Sequence, residues 1–238
     1  MKRFLPFIII ALVLVGGIVT FLIFSKKERS NDSGNTFVST TAPTPATNVT
    51  SEAAQASPTD LPGSSRPNVK VSSPVILEEY GDYQCPPCGA LYPELKKIES
   101  EYGNQLRVVF HHFPLEKIHK NAMVAAQAAE AARNQNKFWE MHDRLYRTQD
   151  AWKDNYNPRA IFISYARDLK LNVDRFTRDL DSTEVKNRIT ADIQRAASVG
   201  VTGTPTVFIE GRMLRYEHTT PEGLRRGINI LLEKKANS

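Results

Sequence analysis

Cys85 and Cys88 are the chain's two cysteines, and they stand three places apart as Cys85-Pro86-Pro87-Cys88. Random placement would give this spacing on the order of 1% of the time, so the pair is read as one chemical unit. Pro74 to Tyr80 (PVILEEY) is a short apolar run with the length of a buried strand, and Cys88, Leu91, Leu95, Ile98 and Tyr102 repeat at helical spacing up to Gly103. Cys85 therefore falls at the cap of a helix whose first turn holds both prolines. A thiolate there faces the positive end of the helix dipole and the unpaired first-turn amides. Both lower its pKa, and the thiolate is the species that reacts. Cys88, one turn further on and on the apolar side, is placed to be a buried resolving thiol. Attack by Cys85 on a substrate sulfur, or the reverse, gives a mixed disulfide that Cys88 closes.

Two other uses of the pair carry less weight. An inert disulfide across so short a stretch closes almost no loop and contributes little stability. The two thiolates with His111 and His112 would make four metal ligands, but adjacent strand residues point to opposite faces. No metal is expected, and His111, His112 and His119 are read as structural.

The elements that must position the cysteines follow in order. Leu106 to Phe113 (LRVVFHHF) is a second strand, rich in β-branched and aromatic residues. Helices are expected from about His119 to Arg133 and from about Lys137 to Thr148, then from Asn157-Pro158, from Asn172, and from Ser182-Thr183 to Gly200. Thr206 to Glu210 and Arg212 to Tyr216 flank Gly211 as a hairpin, and Thr220-Pro221 starts a terminal helix. The alanines at 125, 126, 128, 129 and 132 predict close helix packing, and Phe138, Trp139, Leu145 and Trp152 are assigned to the core. Glu79 shares a strand face with Val75 and Leu77, which predicts a buried carboxyl with a raised pKa and leaves Glu78 facing outward.

The stretch from Cys85 to Cys88 after a strand resembles the active site of the thioredoxin superfamily. Pro93 lies where such proteins kink this helix, Thr204-Pro205 where they carry a cis-proline, and Glu79 at their buried acid position. The helical insert before Pro205 is similar to that of DsbA-type disulfide oxidoreductases. Asp82-Tyr83-Gln84-Cys85-Pro86 and Lys137-Phe138-Trp139-Glu140-Met141-His142 are similar to segments of membrane-anchored bacterial DsbA-like proteins.

The resemblance implies an α/β thioredoxin fold over residues 68–238, with an inserted helical subdomain at about 115–200. It implies disulfide formation in exported proteins, with Cys85 and Cys88 exchanging disulfides, Glu79 relaying a proton, and Thr204 with Pro205 guiding the substrate. No organic cofactor is implied. The implied partners are cysteine-containing exported proteins and a membrane redox protein of DsbB-like or VKOR-like type. Two further readings stay open: a disulfide reductase or isomerase, and a tethered chaperone or metal-binding module without turnover. DsbA has histidine where Pro87 stands. Proline at both central positions removes two amide donors from the neighbourhood of the sulfur. The Cys85 pKa is therefore expected above that of DsbA, and the pair is expected to be less oxidising.

Ahead of this domain, residues 4–24 form an uncharged apolar run, long enough at about 1.5 Å rise per residue to span a bilayer's hydrocarbon core. The run ends in Phe21-Leu22-Ile23-Phe24 without a small-residue cleavage pattern, which predicts an uncleaved anchor rather than a signal peptide. Residues 25–67 read as a disordered stalk: of the 38 residues from Ser30 to Pro67, 29 are Ser, Thr, Pro, Ala, Gly or Asn, too polar a mixture to offset the entropy of ordering. Lys2 and Arg3 on one side and Lys26, Lys27 and Arg29 on the other leave orientation a near tie, which the resemblance resolves as a single-pass bacterial cell-membrane protein with an extracytoplasmic domain. From Asn68 onward 25 basic residues face 22 acidic ones. This is an ordinary solvated surface without a basic stripe, which argues against nucleic acid as a partner.

Overall fold

The computed structural model describes Ser64–Ser65 and residues 74–237. The expected anchor and all but two residues of the expected stalk lie outside the described residues. Among the described residues no helix is long and apolar enough to cross a membrane. Ser64–Ser65 (β1), inside the segment read as stalk, pairs antiparallel with Val109 and Phe110.

The strands β2 (Val75–Gly81), β3 (Leu106–His112), β4 (Thr206–Ile209) and β5 (Arg212–Met213) join β1 in a mixed sheet of order β1-β3-β2-β4-β5. The β2–β3 pair is parallel and the others antiparallel. A parallel pair needs a crossover, and helix α1 (Pro86–Tyr102) supplies it. Alternation along β2 sends Val75, Leu77 and Glu79 to one face and Glu78 and Tyr80 to the other. On the first face Val75, Leu77, Val108 and Val207 pack with Leu91, Leu95 and Ile98 of α1 and with Leu224 and Ile228 of the C-terminal helix α8 (Pro221–Ala236).

Between β3 and β4 the chain forms α2 (Ala122–Arg133), α3 (Phe138–Arg147), α4 (Gln149–Trp152), α5 (Pro158–Asp168), α6 (Val173–Asp179) and α7 (Thr183–Ser198). Their starts follow from local chemistry. The side chains of Asn157, Asn172 and Ser182 accept from the amides of Ala160, Arg175 and Val185, and Thr220 caps α8 through Gly223 in the same way. The alanines of α2 are buried against α3, α5, α6 and α7, where small side chains let backbones approach closely. Phe138, Leu145 and Trp152 are in the core, while Trp139 is only partly buried.

Three expectations are corrected. Helix α2 starts at Ala122, not His119. The His119 ring is bonded to Asp82 at 2.7 Å, and the Asn121 side-chain amide donates to the carbonyls of Trp152, Lys153 and Asn155, which holds both residues in a loop. The second hairpin strand is Arg212–Met213, both residues exposed, and Tyr216–His218 forms a 3₁₀ turn; with no apolar face to bury, the edge strand ends early. Glu78 is buried like Glu79, because α7 covers the second face of the sheet through Ala196, with Tyr80, Val201 and Phe208.

Candidate active site

Cys85 is the N-cap of α1, in extended conformation, with Pro86 and Pro87 in the first turn. Its amide donates to the Asp82 carbonyl at 3.1 Å and its carbonyl accepts the first helical bond from Gly89 at 3.0 Å. Both cysteines are free thiols. Cys88 is fully buried, as the helical spacing requires, and Cys85 exposes only 4% of its surface, less than a reachable nucleophile suggests. On one side the Cys85 thiol donates to the Thr204 carbonyl at 3.5 Å, and half-buried Gln149 donates to the Cys85 main-chain carbonyl. Pro86 and Pro87 are exposed beside it.

The two sulfurs differ in their electrostatics. The Cys88 thiol, donating to the Cys85 sulfur, is the largest influence and brings the Cys85 pKa down to about 6 against the opposing effect of burial. The Cys88 backbone amide adds to the lowering, and the Asp82 charge opposes it. That amide is the donor left once proline occupies the two intervening positions. Burial pushes Cys88 well above the ordinary thiol range, and its bond to Cys85 and the charges of Glu79 and Cys85 push it further.

Glu79 lies beneath the pair with its Oε1 buried and without a hydrogen-bond partner. Burial first, then the Cys85 charge, raises its pKa to about 8. It lines a narrow cleft that opens to solvent, with Leu95, Lys96, Phe110, Trp139 and His142 also on its walls. The Thr204–Pro205 peptide is cis, Pro205 is buried, and the Thr204 hydroxyl is buried without a partner.

The loop leading into the site is bound by polar side chains. Asp82 accepts from the amides of Gln84 and Leu115 and bonds the His119 ring. Tyr83 bonds the His142 ring through its hydroxyl at 3.1 Å. A family model described as thioredoxin matches residues 70–229, which spans the whole of this arrangement. The chain belongs to the thioredoxin family. Within that family its fold is the one seen in several solved structures. A thioredoxin-like oxidoreductase from Silicibacter pomeroyi is 23% identical with a TM-score of 0.57, covering 71% of this chain and 94% of that one. BdbD from Bacillus subtilis is 20% identical with a TM-score of 0.61, covering 69% and 90%. DsbA from Xylella fastidiosa is 19% identical with a TM-score of 0.58, covering 73% and 92%. Among curated proteins, a Na(+)/H(+) antiporter NhaA 1 from Salinispora arenicola is 41% identical over 140 residues, 59% of this chain and 21% of that protein. The chain thus spans about a fifth of the length of the curated relatives it matches.

The residues singled out in the sequence as this thioredoxin centre come together: Cys85, Cys88 and Glu79 from one strand–helix unit, Thr204 and Pro205 from far along the chain. His111 and His112 go elsewhere. His111 bonds Glu78 at 3.0 Å and Asp192 at 3.1 Å, while His112 bonds Glu130 at 2.9 Å. Gln84, Asn121 and Gln149 were not anticipated. Gln84 accepts from the Asn121 amide and donates to the Lys153 carbonyl, both at 2.7 Å, and Gln149 reaches the main chain at the site itself. Loop amides carry no periodic signal that would mark them in a sequence.

Proposed function

We propose that the protein is a thiol–disulfide oxidoreductase acting on exported proteins, with net disulfide formation as its direction. The observation that carries this reading is the asymmetry of the pair: a helix-capping sulfur with its pKa near 6 above a fully buried partner pushed the other way. In the disulfide form, a substrate thiolate attacks Cys85, the Cys85–Cys88 bond breaks, and Cys88 leaves and takes up a proton. The substrate's second thiolate then attacks the substrate sulfur of the mixed disulfide and releases Cys85 as a thiolate. The substrate gives up two electrons and the pair receives them. A low Cys85 pKa favours that last release, since the leaving sulfur is already a stable anion. Glu79 holds its proton below about pH 8 and is the donor to the departing Cys88 sulfur. Thr204 and Pro205 lie along the other side of the Cys85 sulfur and guide an extended substrate segment past it.

Returning the pair to its disulfide requires an acceptor for two electrons, for which a DsbB-like or VKOR-like membrane protein is proposed. The apolar run 4–24 and the polar stretch after it support a single-pass anchor in a bacterial cell membrane, with the domain outside the cytoplasm. One observation favours the reductase or isomerase reading: a Cys85 pKa near 6 lies closer to the thioredoxin reference of about 7 than to the DsbA reference of about 3.5. Trapping the thiols in intact cells separates the two, with disulfide predominating for an oxidase and dithiol for a reductase. Purified protein is expected to reoxidise reduced ribonuclease or to reduce insulin, and Cys85→Ser to abolish both. Equal rates in the variant would end the enzyme reading.

A further inference from the structure

Gln149 opens the short helix α4, in the helical insert, sixty-four positions from the site it touches. Its Nε2 donates to the Tyr83 carbonyl at 2.7 Å and to the Cys85 carbonyl at 3.0 Å. Two carbonyl acceptors fix the orientation of the amide, since only its NH₂ end can face both. The approach depends on Gly89: a Cβ built there would lie 2.8 Å from the Gln149 Oε1 and 3.1 Å from its Nε2. Gly89 is also the residue whose amide donates to the Cys85 carbonyl. One side chain from the insert therefore grips the peptide groups on either side of Gln84-Cys85, through a gap that a missing methyl leaves in α1.

We propose that Gln149 is a positioning residue for the Cys85 sulfur. The inference rests on the disulfide-exchange reading of the site. Cys85 is held by its own main chain: its amide is tied to the Asp82 carbonyl and its carbonyl to Gly89 and Gln149. The sulfur must stay over the Cys88 thiol and amide for its anion to be stabilised. Each of those contacts depends on distance. Without the amide, the Tyr83 carbonyl loses a donor and the Cys85 carbonyl keeps only Gly89. The turn from Asp82 to Cys85 then loses its tie to the insert at Gln149, and the Cys85 peptide is less firmly held. The sulfur leaves the geometry that stabilises its anion, and the insert no longer sets the chemistry of the thioredoxin core.

The test is the pH profile of Cys85 alkylation by iodoacetamide in full-length reduced protein, read by mass at that cysteine, which needs no turnover. Gln149→Leu is expected to move the half-maximal rate upward by about 0.5–1 pH unit, a roughly three- to tenfold loss of thiolate at pH 5. Gln149→Glu keeps the shape but sets a carboxylate against two carbonyl oxygens, and should shift the profile further. Gly89→Ala should reproduce the Gln149→Leu shift by displacing the amide, and the double variant should show no more than either single change. A Gln149→Leu protein that melts earlier yet keeps the wild-type profile would make the contact a brace only and overturn the proposal, as would additive shifts in the double variant. If Gln149→Leu does not fold, Gly89→Ala decides alone, since alanine suits a helix interior: an unshifted profile rejects the proposal. A shifted profile in a protein whose wild type exchanges no disulfides would sink the function and leave the positioning role standing. Full turnover with an unmoved profile would do the opposite.

Discussion

Glu78 and Glu79 are consecutive on β2, both are buried, and alternation sends them to opposite faces of one sheet. On the α7 face, Glu78 is fully engaged: its Oε2 meets the His111 ring at 3.0 Å and Arg195 at 3.1 Å, and His111 in turn bonds Asp192 at 3.1 Å. Burial alone would raise the Glu78 pKa, but His111 and Arg195 hold it below the usual carboxylate value. His111 moves the other way. Burial disfavours its cation, yet Asp192 and Glu78 raise its pKa overall. On the α1 face, Glu79 has a neighbouring thiol in place of a cation, and one of its oxygens has no partner. Two adjacent acids, both nearly closed to solvent, thus have opposite shifts, the deeper Glu79 upward and the paired Glu78 downward. Loss of solvent contact does not by itself raise a carboxyl's pKa; without a compensating charge, as at Glu79, it does.

Three substitutions would break or sharpen that contrast. The largest effect is expected for His111→Ala, which leaves Glu78 and Asp192 buried without their shared cation; unfolding at neutral pH should show a loss of about 3–5 kcal/mol. The pH window follows from the signs. The raised His111 pKa contributes stability that is complete below about 6.5 and fades as pH rises through its folded value. The lowered Glu78 pKa contributes stability present above about 4.5 and lost as pH falls through its folded value. Glu79→Gln should act in the reverse sense. Wild-type Glu79 keeps its proton up to about 8 while the unfolded chain releases it near 4.5, so wild-type stability falls across that interval. The variant escapes this. Linkage makes the swing between pH 4 and pH 8 about 4 kcal/mol. With the buried amide costing about 2 kcal/mol at every pH, the variant should be about 2 kcal/mol less stable than wild type at pH 4 and about 2 kcal/mol more stable at pH 8, while protonation of Cys88 slows. A variant less stable than wild type at pH 8 would refute the contrast. The smallest change is expected for Arg195→Gln, at the part-exposed rim of the network, where a cost of about 1 kcal/mol or less would show that the imidazole carries most of the compensation.

Much of this was legible along the chain, for reasons that can be stated residue by residue. The Cys85 cap, the buried Cys88 and the helix starts at Asn157, Asn172, Ser182 and Thr220 depend on neighbours a few positions away, which a sequence displays directly. Glu78 misled because strand alternation says which face a residue takes but not whether that face is wet; α7, a hundred residues later, decides it. The metal alternative for His111 and His112 failed on their opposite facings, while the carboxylates that receive them come from β2, α2 and α7. Gln84, Asn121 and Gln149 are isolated polar residues whose partners are main-chain atoms, and main-chain acceptors leave no trace in the one-letter code.

Helix α2 has a consequence beyond its own packing. Where its alanines meet four neighbouring helices, the spacing is set by main chain and methyl groups rather than by adaptable side chains. Such a joint has little slack. One carbon added at Ala128 or Ala129 must be absorbed by whole helices shifting as rods, α3 among them, and α3 runs directly into the turn that delivers Gln149. A change at the hub of the insert therefore has a short route, through α3, to its rim beside the sulfur.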